Sequence, residues 1–200
     1  MRLGVWLCVF AVGGLELVAG FYDGTSWLSP ASGSSVFRWI GAVSTAIAAL
    51  CAVALARRGR SASRLLLAAG LGYVAIDQVL GLHERFGADL DARALTSLHW
   101  NGGLFVLQIL LLGGVCLLLV REARLAQVGS ALIAAGTALL ATAIGARFGG
   151  GALAALDQLP DGEPRQAGEA AMHACGLCGW LLVAAGLAAL THERLLRRKT

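Results

Sequence analysis

Tyr73-Val74-Ala75-Ile76-Asp77-Gln78-Val79-Leu80-Gly81-Leu82-His83-Glu84-Arg85 closes an apolar stretch that begins near Leu65. A run of that length is long enough to cross a bilayer as a helix. Ionisable groups inside such a run are costly to keep there, so they mark function or a polar network. At about 1.5 Å rise per residue, Asp77 falls roughly two turns before the end of the run. Glu84, seven positions on, returns to nearly the same helical face, and Tyr73 lies one turn before Asp77 on that stripe. His83 projects about 100° from Glu84. The stretch therefore reads as a membrane helix with two carboxylates and an imidazole near one mouth.

The run Asp77-Gln78, four residues, then His83-Glu84 resembles an Asp-Glu-x4-His-Glu signature of uncharacterised bacterial multipass membrane proteins. Gln78 departs from that signature, replacing its second acid and removing one candidate ligand. The resemblance covers about a dozen residues. It implies a membrane protein with a polar helix end and carries no activity.

The rest of the chain supports a bilayer as solvent. Hydrophobic residues make up 58% of the sequence and charged residues 14%, with mean hydropathy +0.74. Soluble domains average about 25% charged residues. The 27 glycines fit membrane helices, where small residues let backbones approach closely. The net charge of +4 does not point to nucleic acid, because many of the basic residues cluster at the ends of apolar runs. No nucleotide-binding loop is present.

Six apolar runs, near 3–20, 38–56, 64–84, 101–120, 125–146 and 170–190, predict an all-α polytopic bundle of six transmembrane helices in a single domain, 1–200. Val18-Ala19-Gly20 resembles a signal-peptide cleavage site, yet Glu16 interrupts the apolar core and only Arg2 precedes it. The first run is therefore read as a retained helix. Residues 57–64, 121–124 and the tail after Leu190 are short and basic. The connections 21–37, 85–99 and 147–169 are longer and hold Asp23, Asp89, Asp91, Asp157, Asp161 and Glu163. The positive-inside rule then puts both termini in the cytoplasm, with three longer loops outside; the resemblance to bacterial multipass proteins implies a bacterial inner membrane. Within the third loop, Leu153 and Leu156 suggest a short interfacial helix over 150–158, ended by a turn at Pro160-Asp161-Gly162.

This topology sorts the polar residues by depth. Asp77, His83 and Glu84 end the third span on the outer side, His99 and Asn101 open the fourth, and Glu169 and His173 open the sixth. Gln108 follows Asn101 by seven residues on one stripe. Glu169 and His173 are spaced i, i+4 and share a helix face. Asp77, His83, Glu84, His99, Glu169 and His173 are thus the candidate metal ligands, with Glu16 behind them. That donor set suits one divalent ion: zinc, iron or manganese. Paired Glu-x-x-His motifs of di-iron bundles are absent, which argues for one metal rather than two. Membrane ceramidase-like zinc hydrolases share the layout, but Glu169 stands where their first His-x-x-x-His histidine would be. No catalytic residue is assigned.

Two further motifs read as packing. Cys175-Gly176-Leu177-Cys178 lacks the strand that precedes a thioredoxin-type pair, so it reads as a small-residue helix contact. Cys8, Cys51 and Cys116 fall inside apolar runs as small hydrophobes. His83-Glu84-Arg85 and His192-Glu193-Arg194 each end a span and read as interfacial punctuation rather than an inverted repeat. Haem held by two histidines is disfavoured by their shallow depth. Two functional classes remain: a metalloenzyme, hydrolytic or oxidative, at the outer leaflet, and a non-enzymatic membrane subunit or small proton-relaying transporter. Beyond the lipid bilayer, the partners expected are another membrane protein or a second copy.

Overall fold

The computed structural model describes residues 2–19, 35–80, 100–125, 129–148 and 163–196. Every element among these residues is an α-helix: α1 (Arg2–Ala19), α2 (Val36–Gly59), α3 (Ala62–Leu80), α4 (Trp100–Leu125), α5 (Ser130–Phe148) and α6 (Glu163–Leu196). These are the six apolar runs with shifted ends. Ser35 opens α2, its hydroxyl accepting from the Phe37 amide at 3.3 Å. Arg60 closes α2 in the left-handed region at φ 46°, and α3 begins two residues later. Pro164 stands in the first turn of α6, where the missing N–H costs no helical bond. Expectations for the 150–158 surface helix and the turn at 160–162 lie outside the described residues.

Val36–Gly59, Ala62–Leu80 and Ala170–Leu196 are each long and apolar enough to cross a membrane; Leu3–Ala19 and Ser130–Gly145 are apolar but shorter. Three helices, rather than the expected six, meet that length and hydropathy on the described residues.

α6 is the central helix, packing on α1, α2 and α5; α2 packs on α3, α3 on α4, and α4 on α5. Five helices therefore close a ring in the order α2, α3, α4, α5, α6, and α1 lies outside it against α6. Leu55, Leu71, Leu119, Ile133 and Leu187, one from each ring helix, are almost fully buried in a common core. The perimeter is apolar as well, with Leu3, Leu50, Leu110 and Leu117 at least two-thirds exposed. Exposed leucines on every side fit a hydrocarbon solvent better than water.

The registers of the ring are legible from single contacts. Arg58 donates to the Arg194 carbonyl at 2.8 Å across 136 residues of sequence, and a side chain at Gly41 would meet Leu177, again 136 residues on. α2 and α6 are thus parallel and in constant register. α5 and α6 are antiparallel: Gly129 abuts the Gly186 backbone, and seven residues later Gly136 abuts Gly179. A Cβ at Gly136 would sit 2.7 Å from the Gly179 carbonyl oxygen and 2.9 Å from the Val183 nitrogen. Only glycine allows two helix backbones so close, and the contact gains dispersion where lipid offers no hydrophobic drive.

Several hydroxyls in the helices are satisfied locally. Ser44 and Thr191 donate back to the Ile40 and Leu187 carbonyls at 2.7 Å, and Thr137 donates to Ile133 at 2.6 Å. Thr45 does the same to Gly41. Such i−4 bonds leave few demands for water, as an apolar surround requires.

Candidate functional site

Asp77 is the sequence candidate that lies buried within a helix of spanning length. It lies in the fifth turn of α3 and is 7% exposed. Its stripe continues inward through Tyr73 and Gly70, where a Cβ would lie 2.7 Å from Val115 of α4. That stripe therefore borders α4. Arg64 on α3 meets Glu122 on α4, and Gly70 meets Val115, so the two helices run antiparallel. Seven residues further along each helix from the Gly70–Val115 contact, Asp77 comes level with position 108 of α4. Asp77 makes a polar interaction in this setting. Its neighbour Gln78 turns the other way: the side-chain carbonyl rests against Gly41 of α2 and has no hydrogen-bond partner among the described residues.

Glu16 is the second buried acid, at 4% exposure on α1. It shares a stripe with Val9, Gly13 and Ala19, all turned towards the bundle. Gly13 abuts Cys178 of α6 so closely that a Cβ there would overlap the thiol, and Cys178 donates to the Val9 carbonyl at 3.5 Å. Three residues beyond Gly13, Glu16 is level with α6 near His173. One of its oxygens, Oε2, lacks a hydrogen-bond partner among the described residues.

His173 is on α6 but exposed, against the expectation that it faces the interior; it too makes a polar interaction. The reason is the helix stripe. Ala170, Ala174, Leu177 and Cys178 form the buried face at this end of α6, and position 173 falls off it. Depth also separates the candidates. Gln78, Gly41 and Leu177 share a level, so Asp77 lies beside Cys178 in depth, about five residues or roughly 7 Å deeper than His173. Sideways, α2 and α6 stand between α3 and α1. Asp77, Glu16 and His173 thus stand on three different helices, with Asp77 and Glu16 buried and His173 exposed. Among the described residues no three His, Cys, Asp or Glu side chains are grouped to hold a metal. His83, Glu84 and His99 lie outside the described residues. Glu169 is in the second turn of α6, past the first-turn position where the helix dipole would favour it, and its side chain lies outside the described set.

The Cys175-x-x-Cys178 pair behaves as packing: both thiols are free, Cys178 fills the notch at Gly13, and Gly179 lies against Leu140. A groove between α4 and α5 is lined, among the described residues, by neither Asp77 nor His173.

Sequence reasoning missed the buried ion pair at the opposite end. Arg64 Nε donates to both Glu122 oxygens at 3.0 and 3.1 Å, and its Nη2 donates to Oε2 at 3.0 Å. Arg64 is 8% exposed and Glu122 3%. In the sequence both fall in the short basic connections 57–64 and 121–124, which read as topology signals. The available signal was Glu122 itself, an acid within a basic connection.

No protein-family model, curated protein or solved structure matches the chain.

Proposed function

We propose that this chain is a six-span inner-membrane protein with both termini cytoplasmic that holds one divalent metal ion at its outer end, with Asp77 as the anchoring carboxylate. The observation that carries this reading is the burial of Asp77 in a helix apolar enough to cross a membrane. A carboxyl kept at that position marks function or a polar network, and beside the interaction it already makes it can also bind a cation. The remaining ligands are drawn from His83, Glu84, His99 and Glu169; the resemblance carried by Asp77-Gln78-x4-His83-Glu84 implies a polar helix end and no ligand role. His173, exposed and shallower, sits at the rim.

The topology draws support from the basic end of the bundle. Arg57, Arg58, Arg64, Arg121, Arg124 and Arg194 belong to helix ends that the Arg58–Arg194 and Arg64–Glu122 contacts tie together. Five of the helices contain apolar stretches, three of them of full spanning length.

Metal analysis of the detergent-purified protein tests the proposal. About one zinc, iron or manganese ion per chain is expected in the parent and loss of most of it in Asp77→Asn, with helicity unchanged. A metal-free parent protein defeats it. A second reading is then favoured by the unpartnered oxygens of Glu16 and Gln78: a non-enzymatic subunit or small transporter that relays protons through a polar network. Proton uptake by proteoliposomes, abolished in Glu16→Gln, is its measurement.

A further inference from the structure

α4 and α5 form an antiparallel hairpin whose arms leave a groove of about 960 Å³ on the side away from α6. Gly113, Gly114 and Leu117 line it on α4; Ala134 and Ala138 line it on α5. Nothing lies within 4 Å of a Cβ at either glycine, so the space there is open. From Leu110 to Arg124 the groove follows α4 for about 21 Å at 1.5 Å per residue, somewhat more than one leaflet's share of a ~30 Å hydrocarbon core. Among the described residues its lining is mostly apolar along that length: Thr137, midway, spends its hydroxyl on the Ile133 carbonyl, and Arg124 with Ser130 stands at one end. Arg121, one turn away on α4, is exposed beside it.

These features select an occupant that is apolar for a leaflet's depth and anionic at the basic end. We infer that the groove holds an anionic phospholipid of the cytoplasmic leaflet, with an acyl chain along Gly113, Gly114 and Ala134 and the phosphate at Arg124 and Ser130. A second copy of the chain fits less well. A twofold axis in a membrane stands along its normal, so an isologous contact through this groove keeps residues at equal depth. It would bring Arg121 and Arg124 against their own counterparts, where like charges repel. A phosphate instead complements the guanidinium and can accept from the serine hydroxyl. The inference rests on the membrane reading above and is independent of any metal.

The full-length protein, purified in mild detergent, is mixed with phosphatidylglycerol or phosphatidylcholine micelles, and retained lipid is counted by native mass spectrometry. The parent should keep one phosphatidylglycerol per chain, preferred over phosphatidylcholine by about fivefold, the contribution of one basic group at an anionic head. Arg124→Gln should abolish the preference. Ala134→Phe, or Leu110→Trp if that variant misfolds, should fill the groove and abolish retention of both lipids. Equal retention of the two lipids by the parent overturns the inference, as does unchanged preference in Arg124→Gln. So does a disulfide-linked dimer formed in membranes by Leu117→Cys, which would show a second copy in the groove. Release of the chain from membranes by alkaline carbonate would instead defeat the membrane reading; retention there with no lipid preference defeats this inference alone.

Discussion

Replacing Glu122 with leucine should destabilise the bundle through the arginine it abandons. In the folded protein Arg64 makes three short contacts to the Glu122 carboxylate, and both side chains are more than nine-tenths buried. Removing one member of a buried pair typically costs about 3–5 kcal/mol, because the other charge stays desolvated. Arg64 stands in the first turn of α3, so its long side chain can snorkel towards the membrane surface, and the low end of that range, about 3 kcal/mol, is expected. Arg64→Met should cost a similar amount by stranding the carboxylate. The double variant Arg64→Met/Glu122→Leu removes both charges and fills the space with apolar atoms; it should lie within about 1 kcal/mol of the parent. The coupling between the two sites is then about 5 kcal/mol or more, within the range for close, desolvated charge pairs. Unfolding by denaturing detergent in mixed micelles, followed by tryptophan fluorescence, measures all four proteins. If the two single losses simply add, with coupling below about 0.5 kcal/mol, the pair does not act as a buried unit and the reasoning is refuted. Because this pair fixes α3 against α4, the single variants should also weaken whatever Asp77 holds further along α3.

Gly136→Ala should cost about 1–3 kcal/mol, since the new methyl meets the Gly179 and Val183 backbones rather than yielding side chains. Gly72→Ala, where nothing lies within 4 Å, should instead be neutral or stabilising by up to about 1 kcal/mol through helix propensity; the same unfolding assay separates the two. Gly13→Val should displace α1 from α6 while leaving the five-helix ring folded, seen as faster labelling of Cys178 by a membrane-permeant thiol reagent. Arg58→Ala removes an exposed cap on the last turn of α6 and should cost only about 0.5–1.5 kcal/mol. Reporter fusions within residues 57–64 should read cytoplasmic, and an outside signal would invert the depth order of every polar residue.

Apolar run length made the helices legible, because a bilayer sets a length that composition alone can meet. Element ends drifted where local chemistry intervened: α5 starts at Ser130 only after Gly129 takes up φ +80°, and α6 begins at Glu163 because Pro164 tolerates a first turn. Which residue faces which neighbour was a different matter. Depth can be counted along one helix from its end. Azimuth depends on which stripe meets the bundle, and that is decided by partners the count does not see. Asp77 and Glu16 were both placed near the outer end, and both are buried, since each lies on the inward stripe of its helix. His173 was placed on the same side by the same count, yet the α6 stripe through Ala170, Ala174 and Cys178 leaves it outside.

The same distinction explains why Arg64 and Glu122 were overlooked and why they matter for the site. A positive-inside count treats every arginine at a helix end as a signal to the membrane surface, so it cannot tell a solvated charge from one turned inward. Arg64 turns inward because its stripe continues through Leu67, Ala68 and Leu71, the side of α3 that meets the core. Once there it needs a carboxylate, and Glu122 is on the helix that packs against α3. The α3–α4 contact is thus pinned at its inner end by an ion pair and tightened at Gly70 against Val115. Tyr73 and then Asp77 follow on the stripe that Gly70 begins. Asp77 is a buried acid on a seam locked at its Arg64 end, and this is why it is put forward as the anchor of the proposed site.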